Sequence, residues 1–163
     1  MTAPDPAPAR AEPAIPLVVT RVRQRIRFRF AKLGKIRFTS QRDVARMWER
    51  ALRRSELPVA WSQGFSPRPL LSFGYALPTG CESLAEYLDV QVDGPSIAEP
   101  FGLVGLLSSL LPSGVDVLAA GVLQDGLGSL QQAVTSCSWE LEVLGVPAEE
   151  LATRVEGLLD ARS

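Results

Sequence analysis

The sequence predicts an α+β fold, and two patterns carry that prediction. In the first, arginine holds every second position, Arg21, Arg23, Arg25, Arg27 and Arg29, with Val22, Gln24, Ile26, Phe28 and Phe30 between them. A period of two belongs to a strand with one buried face, since successive side chains point to opposite sides. In the second, Val44, Met47, Trp48, Ala51 and Leu52 stand at i, i+3, i+4, i+7 and i+8, the apolar stripe of an amphipathic helix. Both patterns recur further along the chain.

The first strand spans about residues 23–31 and ends in a basic turn, Lys32-Leu33-Gly34-Lys35, with Ile36-Arg37-Phe38 expected as a short extended continuation. Ser40 is a natural N-cap for the helix that follows, and Asp43, three residues on, answers it and favours the dipole. The polar side of this helix carries Arg42, Arg46, Glu49, Arg50, Arg53 and Arg54. Glu49 and Arg53 form the i,i+4 pair of an ordinary solvated face, yet five arginines against one glutamate leave an excess of charge. Pro58 stops the helix after Leu57.

Val59 to Ser62 is expected as a short strand, followed by the loop Gln63-Gly64-Phe65-Ser66-Pro67-Arg68-Pro69. Two prolines fix φ there, so the loop is ordered. An aromatic beside an arginine suits a stacked base and its phosphate; the alternative is that Phe65 plugs the underside of the loop. Leu70 to Ala76 reads as a strand with Leu71, Phe73 and Tyr75 on one face, and Glu86 to Val92 as the next. A capping-box pattern at Ser96 to Glu99 opens a helix with Phe101, Val104, Leu107, Leu110 and Leu111 on its apolar side, ending near Pro112. Val115 to Val122 is a further strand. The order βαββαβ is that of a ferredoxin-like fold.

Val134 to Val143 alternates again and Pro147 to Leu159 has helical spacing, which predicts the start of a second, incomplete βα unit. The expected organisation is a disordered Pro/Ala-rich leader over 1–20, a ferredoxin-like domain over 21–123, and a truncated unit over 124–163. A lone strand and helix cannot bury both strand faces, so an open edge and self-association through residues 134–143 are expected.

Charge is strongly polarised. Residues 21–70 hold fourteen basic residues and three acids, a net of +11, whereas residues 71–163 hold two arginines and thirteen acids, a net of −11. The acidic segment can fold against the basic one, or the two can form separate faces, one directed at polyphosphate. The chain contains no histidine and two cysteines, Cys81 and Cys137. This removes the commonest general base, every His-containing triad and any cysteine-rich metal cluster. An enzyme is therefore the less favoured reading, and a reduced, cytoplasmic setting is expected. No apolar run approaches the ~18 residues of a membrane span, and the first residues lack the basic start and apolar core of a secretion signal. Glu82, Glu86 and Asp89 make a possible acidic cluster for acid–base work or Mg²⁺. Glu86 and Asp89, three apart, would lie on opposite faces of a strand, so a salt bridge from one of these acids to an arginine of residues 21–54 is the stronger expectation.

The segments KLGKIRFTSQRD (Lys32 to Asp43), RALRR (Arg50 to Arg54), GFSPRP (Gly64 to Pro69) and LPTGCESLAEYLD (Leu77 to Asp89) resemble, in this order and spacing, the radical SAM-linked protein family. The resemblance runs from about Arg25 to Val92 and more loosely through Trp139. It implies a bacterial domain of unknown function found beside, or fused to, a B12-binding radical SAM protein. SAM, the iron–sulfur cluster and cobalamin would then reside on the partner, with no cofactor or metal on this chain. Members often have histidine where Gln41 stands, and within the loop where Ser66 and Arg68 stand. They also usually continue further at the C-terminus.

Together these readings predict a non-catalytic accessory to a radical SAM enzyme that binds RNA, or presents an RNA substrate, through a basic strand and helix face. The expected contacts are Arg25, Arg27, Arg29, Lys32, Lys35, Arg37, Arg42, Arg46, Arg50, Arg53, Phe65 and Arg68. The alternative is a protein-docking module whose basic face meets an acidic surface of the partner enzyme, without nucleic acid.

Overall fold

The computed structural model describes residues 21–161, so the predicted leader over 1–20 lies outside the described residues. The described chain divides into two compact units, the first running through Ala133 and the second from Val134. Residues 124–133, assigned from the sequence to the second unit, are thus part of the first.

In the first unit the order is β1 (Val22–Lys32), a 3-10 helix (Gly34–Phe38), α1 (Gln41–Arg54), β2 (Leu71–Phe73), β3 (Ser83–Gly94), α2 (Phe101–Leu110), β4 (Val115–Leu123) and α3 (Leu130–Ala133). The four strands form one antiparallel sheet in the order β2-β3-β1-β4. The fold is α+β. Ile36-Arg37-Phe38 is not extended: it belongs to the 3-10 helix, where Gly34 at φ +64 makes the reversal and Thr39 N–H closes on Ile36 C=O at 3.0 Å.

The alternation of β1 sets the core. Ile26, Phe28 and Phe30 are buried with Leu88, Val90 and Val92 of β3 and Val115 and Val117 of β4. Against them lie Val44, Trp48, Ala51 and Leu52 of α1 and Leu107 of α2, with Leu111 just beyond it. Trp48 sits 5.8 and 5.1 Å from the Phe28 and Phe30 ring centroids. Among the described residues its indole N–H finds no partner, a polar atom enclosed by aromatic packing. Ser40 caps α1 as its sequence requires, its Oγ accepting from Asp43 N–H at 3.2 Å.

The second helix departs from its expected start. It begins at Phe101 without a side-chain cap, and in the segment before it the Ile97 N–H donates to Gln24 Oε1 at 2.8 Å. Gln24, a half-buried polar residue in the alternating core series of β1, anchors the loop before α2. Phe101 is exposed, so the apolar side is formed by Leu103, Val104, Leu107, Leu110 and Leu111.

The edge beyond β3 is interrupted. Val59 pairs with Val92 and Ala60 N–H donates to Gln91 C=O at 2.8 Å, after which the chain leaves the sheet and returns at Leu70. Gln91 N–H donates to Leu70 C=O, and β2 then pairs with β3. The expected strands over 59–62 and 70–76 are therefore two stubs of one edge, with residues 61–69 looped out between them. Tyr75 lies past the end of β2, exposed, its hydroxyl donating to Gln131 C=O.

The second unit contains α4 (Ala148–Asp160), with Glu149 and Glu150 in its first turn and an Arg154–Glu150 ion pair. The expected strand over 134–143 is absent: these residues form no ladder, and Trp139, Leu141 and Val143 are exposed. Alternation gives a strand only where a neighbouring strand takes up the backbone groups, and among the described residues none does so. Among the described residues no helix is long and apolar enough to cross a membrane.

Candidate nucleic-acid interface

The arginine ladder and the basic helix face lie on opposite sides of the sheet. Arg25, Arg27 and Arg29 alternate with the core residues of β1, so they project from the face that α1 and α2 do not cover. The acidic reply comes from β3. Asp89 stands directly opposite Arg27 and is only 2% exposed. Arg27 Nε and Nη2 donate to its two carboxylate oxygens at 2.7 and 2.9 Å, a bidentate pair. This hydrogen-bonded carboxylate holds the Arg27 guanidinium further above its already high ordinary pKa, against the opposing effect of burial. Arg25 Nε reaches the same carboxylate at 3.9 Å, and its Nη2 donates to Leu127 C=O at 2.6 Å. Arg21 and Arg23 lie 3.9 and 3.7 Å from Asp93. Arg29, beside Tyr87, is the exposed member of the inner three. Most of the ladder is thus committed to holding the sheet together, which removes Arg25 and Arg27 from the set of freely available contacts.

Lys32 is also withdrawn. It is buried, and its Nζ donates to Thr39 C=O at 2.9 Å, tying the end of β1 to the entry of α1. Arg37 is paired with Glu82 at 3.0 Å and lies 4.8 Å from the Phe38 ring centroid. Glu82 also accepts from Gly34 N–H at 2.7 Å, and that bond first, then Arg37, holds its carboxyl below the ordinary carboxylate range. Lys35 is exposed on the same 3-10 helix. The three acids singled out in the sequence do not converge. Asp89 serves Arg27, Glu82 serves Gly34 and Arg37, and Glu86 lies opposite Phe30 in register. Among the described residues no group of three or more His, Cys, Asp or Glu side chains could hold a metal ion.

The solvent side of α1 carries Arg42, Arg46, Arg50 and Arg53, all exposed. At four residues a step, Arg42, Arg46 and Arg50 rise about 6 Å each along one side of the helix. Arg46 is shared with Asp43 at 3.5 Å, and Arg54 turns away to the Leu110 carbonyl. Beside this surface the looped-out segment forms a short stem. Trp61 pairs with Pro69, Ser62 N–H donates to Arg68 C=O at 2.8 Å, and Arg68 N–H donates to Ser62 Oγ at 3.0 Å. The stem holds up a tip in which Gly64 adopts φ +131 and Phe65 is fully exposed. Phe65 is therefore no plug. Arg53 stacks over Trp61 at 5.2 Å from the ring centroid, which ties the helix to the stem. A groove of about 230 Å³ opens between them, lined by Glu49, Leu52, Leu57, Val59, Trp61 and Pro69.

Trp61 is the functional candidate that the sequence reading missed. Its signal was an aromatic in the polar run Ala60-Trp61-Ser62-Gln63, four residues before Phe65. The arrangement supplies exposed cations, a planar ring already stacked with a guanidinium, and a second ring in solvent. It can bind phosphates and stack planar groups.

These features define an α+β domain with helices on one sheet face and a concentration of exposed cations on α1 and the neighbouring stem. The chain belongs to the DUF2344 family of uncharacterized proteins conserved in bacteria, whose family model matches residues 25–163. No curated protein matches it.

Proposed function

We propose that this protein is a non-catalytic RNA-binding accessory, and that the RNA is met by the outer side of α1 and the 61–69 stem. The observation that carries the reading is the concentration of exposed Arg42, Arg46, Arg50 and Arg53 beside Trp61 and the fully exposed Phe65. Guanidinium groups supply a salt-sensitive, sequence-independent grip on phosphates, and exposed rings in an ordered loop supply stacking for unpaired bases. The strand order β2-β3-β1-β4 with a βαββαβ chain order is read as ferredoxin-like, and the motif resemblance makes a B12-binding radical SAM enzyme the expected partner. SAM, the iron–sulfur cluster and cobalamin are assigned to that partner.

The test is binding of tRNA, or another structured RNA, to the purified chain across a salt series. Affinity is expected to fall linearly on logarithmic axes with added salt, because each neutralised phosphate releases counterions. Charge reversal at Arg46 and Arg50 should weaken binding and flatten that slope. Micromolar RNA that fails to bind at low salt would remove the reading. If the same substitutions instead break a nuclease-resistant complex with the radical SAM protein, the basic side of α1 is a protein-docking surface.

A further inference from the structure

We infer that β4 is a dimerisation edge at which two copies of this chain join their sheets antiparallel around Gly121. This rests on the sheet and is independent of the RNA reading. β4 is the outer strand of the sheet beyond β1. The direction of its free backbone groups follows from the ladder. Gln91 N–H and C=O point toward Leu70 and Ala60, so their neighbours Val90 and Val92 face β1. Their partners Ile26 and Gln24 therefore face β3, which leaves Arg25, Arg27 and Arg29 to bond Leu123, Gly121 and Ala119. The N–H and C=O groups of Ala120 and Val122 consequently point outward. Val117 also points out, but Ser108 Oγ already takes its N–H at 2.9 Å and donates to its C=O at 3.4 Å, so α2 seals that end.

The remaining edge is interrupted once, at Leu118, where the register to β1 shifts, and beyond that bulge it lacks the charges and prolines that keep exposed strands apart. From Val117 to Leu123 it carries no charge and no proline. α2, which packs over β4, has no charged residue from Phe101 to Leu110, and it exposes Phe101 and Leu106. A helix apolar on all sides normally has both sides covered. The occupant is a second copy because the edge is complementary to itself. A two-fold pairing that sets Ala120 opposite the copy's Val122 uses both pairs of outward groups, and within β4 it sets no like charges opposite one another, since the strand's acid, Asp116, sits at its far end. In that register Gly121 faces its own copy, and a β-carbon added there meets nothing within 4 Å among the described residues.

Sedimentation of the full chain over a concentration series is expected to give a dimer of twice the chain mass. G121K alone and G121E alone should each be monomeric at concentrations where the wild type is dimeric, because like charges would stand directly opposite across the new ladder. An equal mixture of the two variants should restore a dimer, which also shows that both are folded. A wild-type chain that stays monomeric overturns the inference, including the case where β4 amides are protected because this chain's own segments cover the edge. A G121K variant that still dimerises overturns it as well.

Discussion

Replacing Arg27 with alanine tests whether the centre of the arginine ladder is structural. The substitution leaves the Asp89 carboxylate 2% exposed and deprives it of two donors at 2.7 and 2.9 Å. Removing one partner of a fully buried pair costs about 3–5 kcal/mol, since the remaining charge has neither water nor a counterion. Two features reduce that figure here. The Arg27 side chain is itself 23% exposed, so the pair is not sealed from solvent. Arg25 Nε also remains 3.9 Å from the same carboxylate and keeps part of the attraction. The expected loss is about 2–3 kcal/mol, which for a domain of this size lowers Tm by roughly 10–15 °C.

Chemical denaturation of Arg27→Ala, Asp89→Ala and the double variant closes a cycle that isolates the pair. The double variant should lose less than the two single losses added together. RNA affinity of folded Arg27→Ala should stay within about twofold of wild type, as one lost phosphate contact would instead cost a unit of salt slope. A stability loss below about 0.5 kcal/mol, or additive losses in the cycle, would refute the structural assignment of Arg27.

Ser40→Ala removes the cap on α1 and should cost about 1 kcal/mol by denaturation, with Ser40→Thr, which keeps the hydroxyl that donates to Asp43, recovering most of it. Gly114 combines φ +91 with a position where a β-carbon would meet the Leu33 carbonyl, so Gly114→Ala should lose about 2–3 kcal/mol, well beyond an ordinary surface glycine. The Glu82 carboxyl is held below its ordinary range by Gly34 N–H and Arg37, so its contribution is full above the unfolded-state pKa and disappears as pH falls through the lower, folded-state one. Acid titration of stability should therefore show a limb that Glu82→Gln flattens, and an unchanged limb would show that the carboxylate carries no such linkage.

Much of the first unit was legible because its residues obey one dominant constraint each. Ile26, Phe28 and Phe30 alternate, Val44, Trp48, Ala51 and Leu52 repeat every turn, and both sets are buried as their periods require. Ser40 was legible as a cap because a hydroxyl before a periodic run has few other uses. The misreadings share a cause: local pattern had no means of knowing what lay across from it. Residues 134–143 alternate as well as β1 does in part, yet among the described residues no strand pairs with them. The Ser96 capping-box pattern opens no helix at that position, and the segment is instead tied to β1 by the Ile97 N–H donating to Gln24, 73 positions away. The edge stubs at Val59 and Leu71 read as two strands because nothing in the sequence marks residues 61–69 as an excursion from one.

The candidate site shows the same division between local and global information. From composition alone, the arginines of residues 21–54 form one basic block with one presumed partner. The sheet separates them, because side chains on the unburied face of β1 and on the outer side of α1 must point in opposite directions once both elements share a core. That separation decides their roles. The side facing β3 meets Asp89 and Asp93 and becomes cross-strand structure, while α1 has only Asp43 and Glu49 to answer its arginines and retains an excess of cations. Charge excess in a sequence therefore overstates the binding surface by whatever fraction the fold pairs internally. Here the row that looked most like a ligand site is largely the part that is paired, and the stack of Arg53 on Trp61 directs attention to the helix and its neighbouring stem.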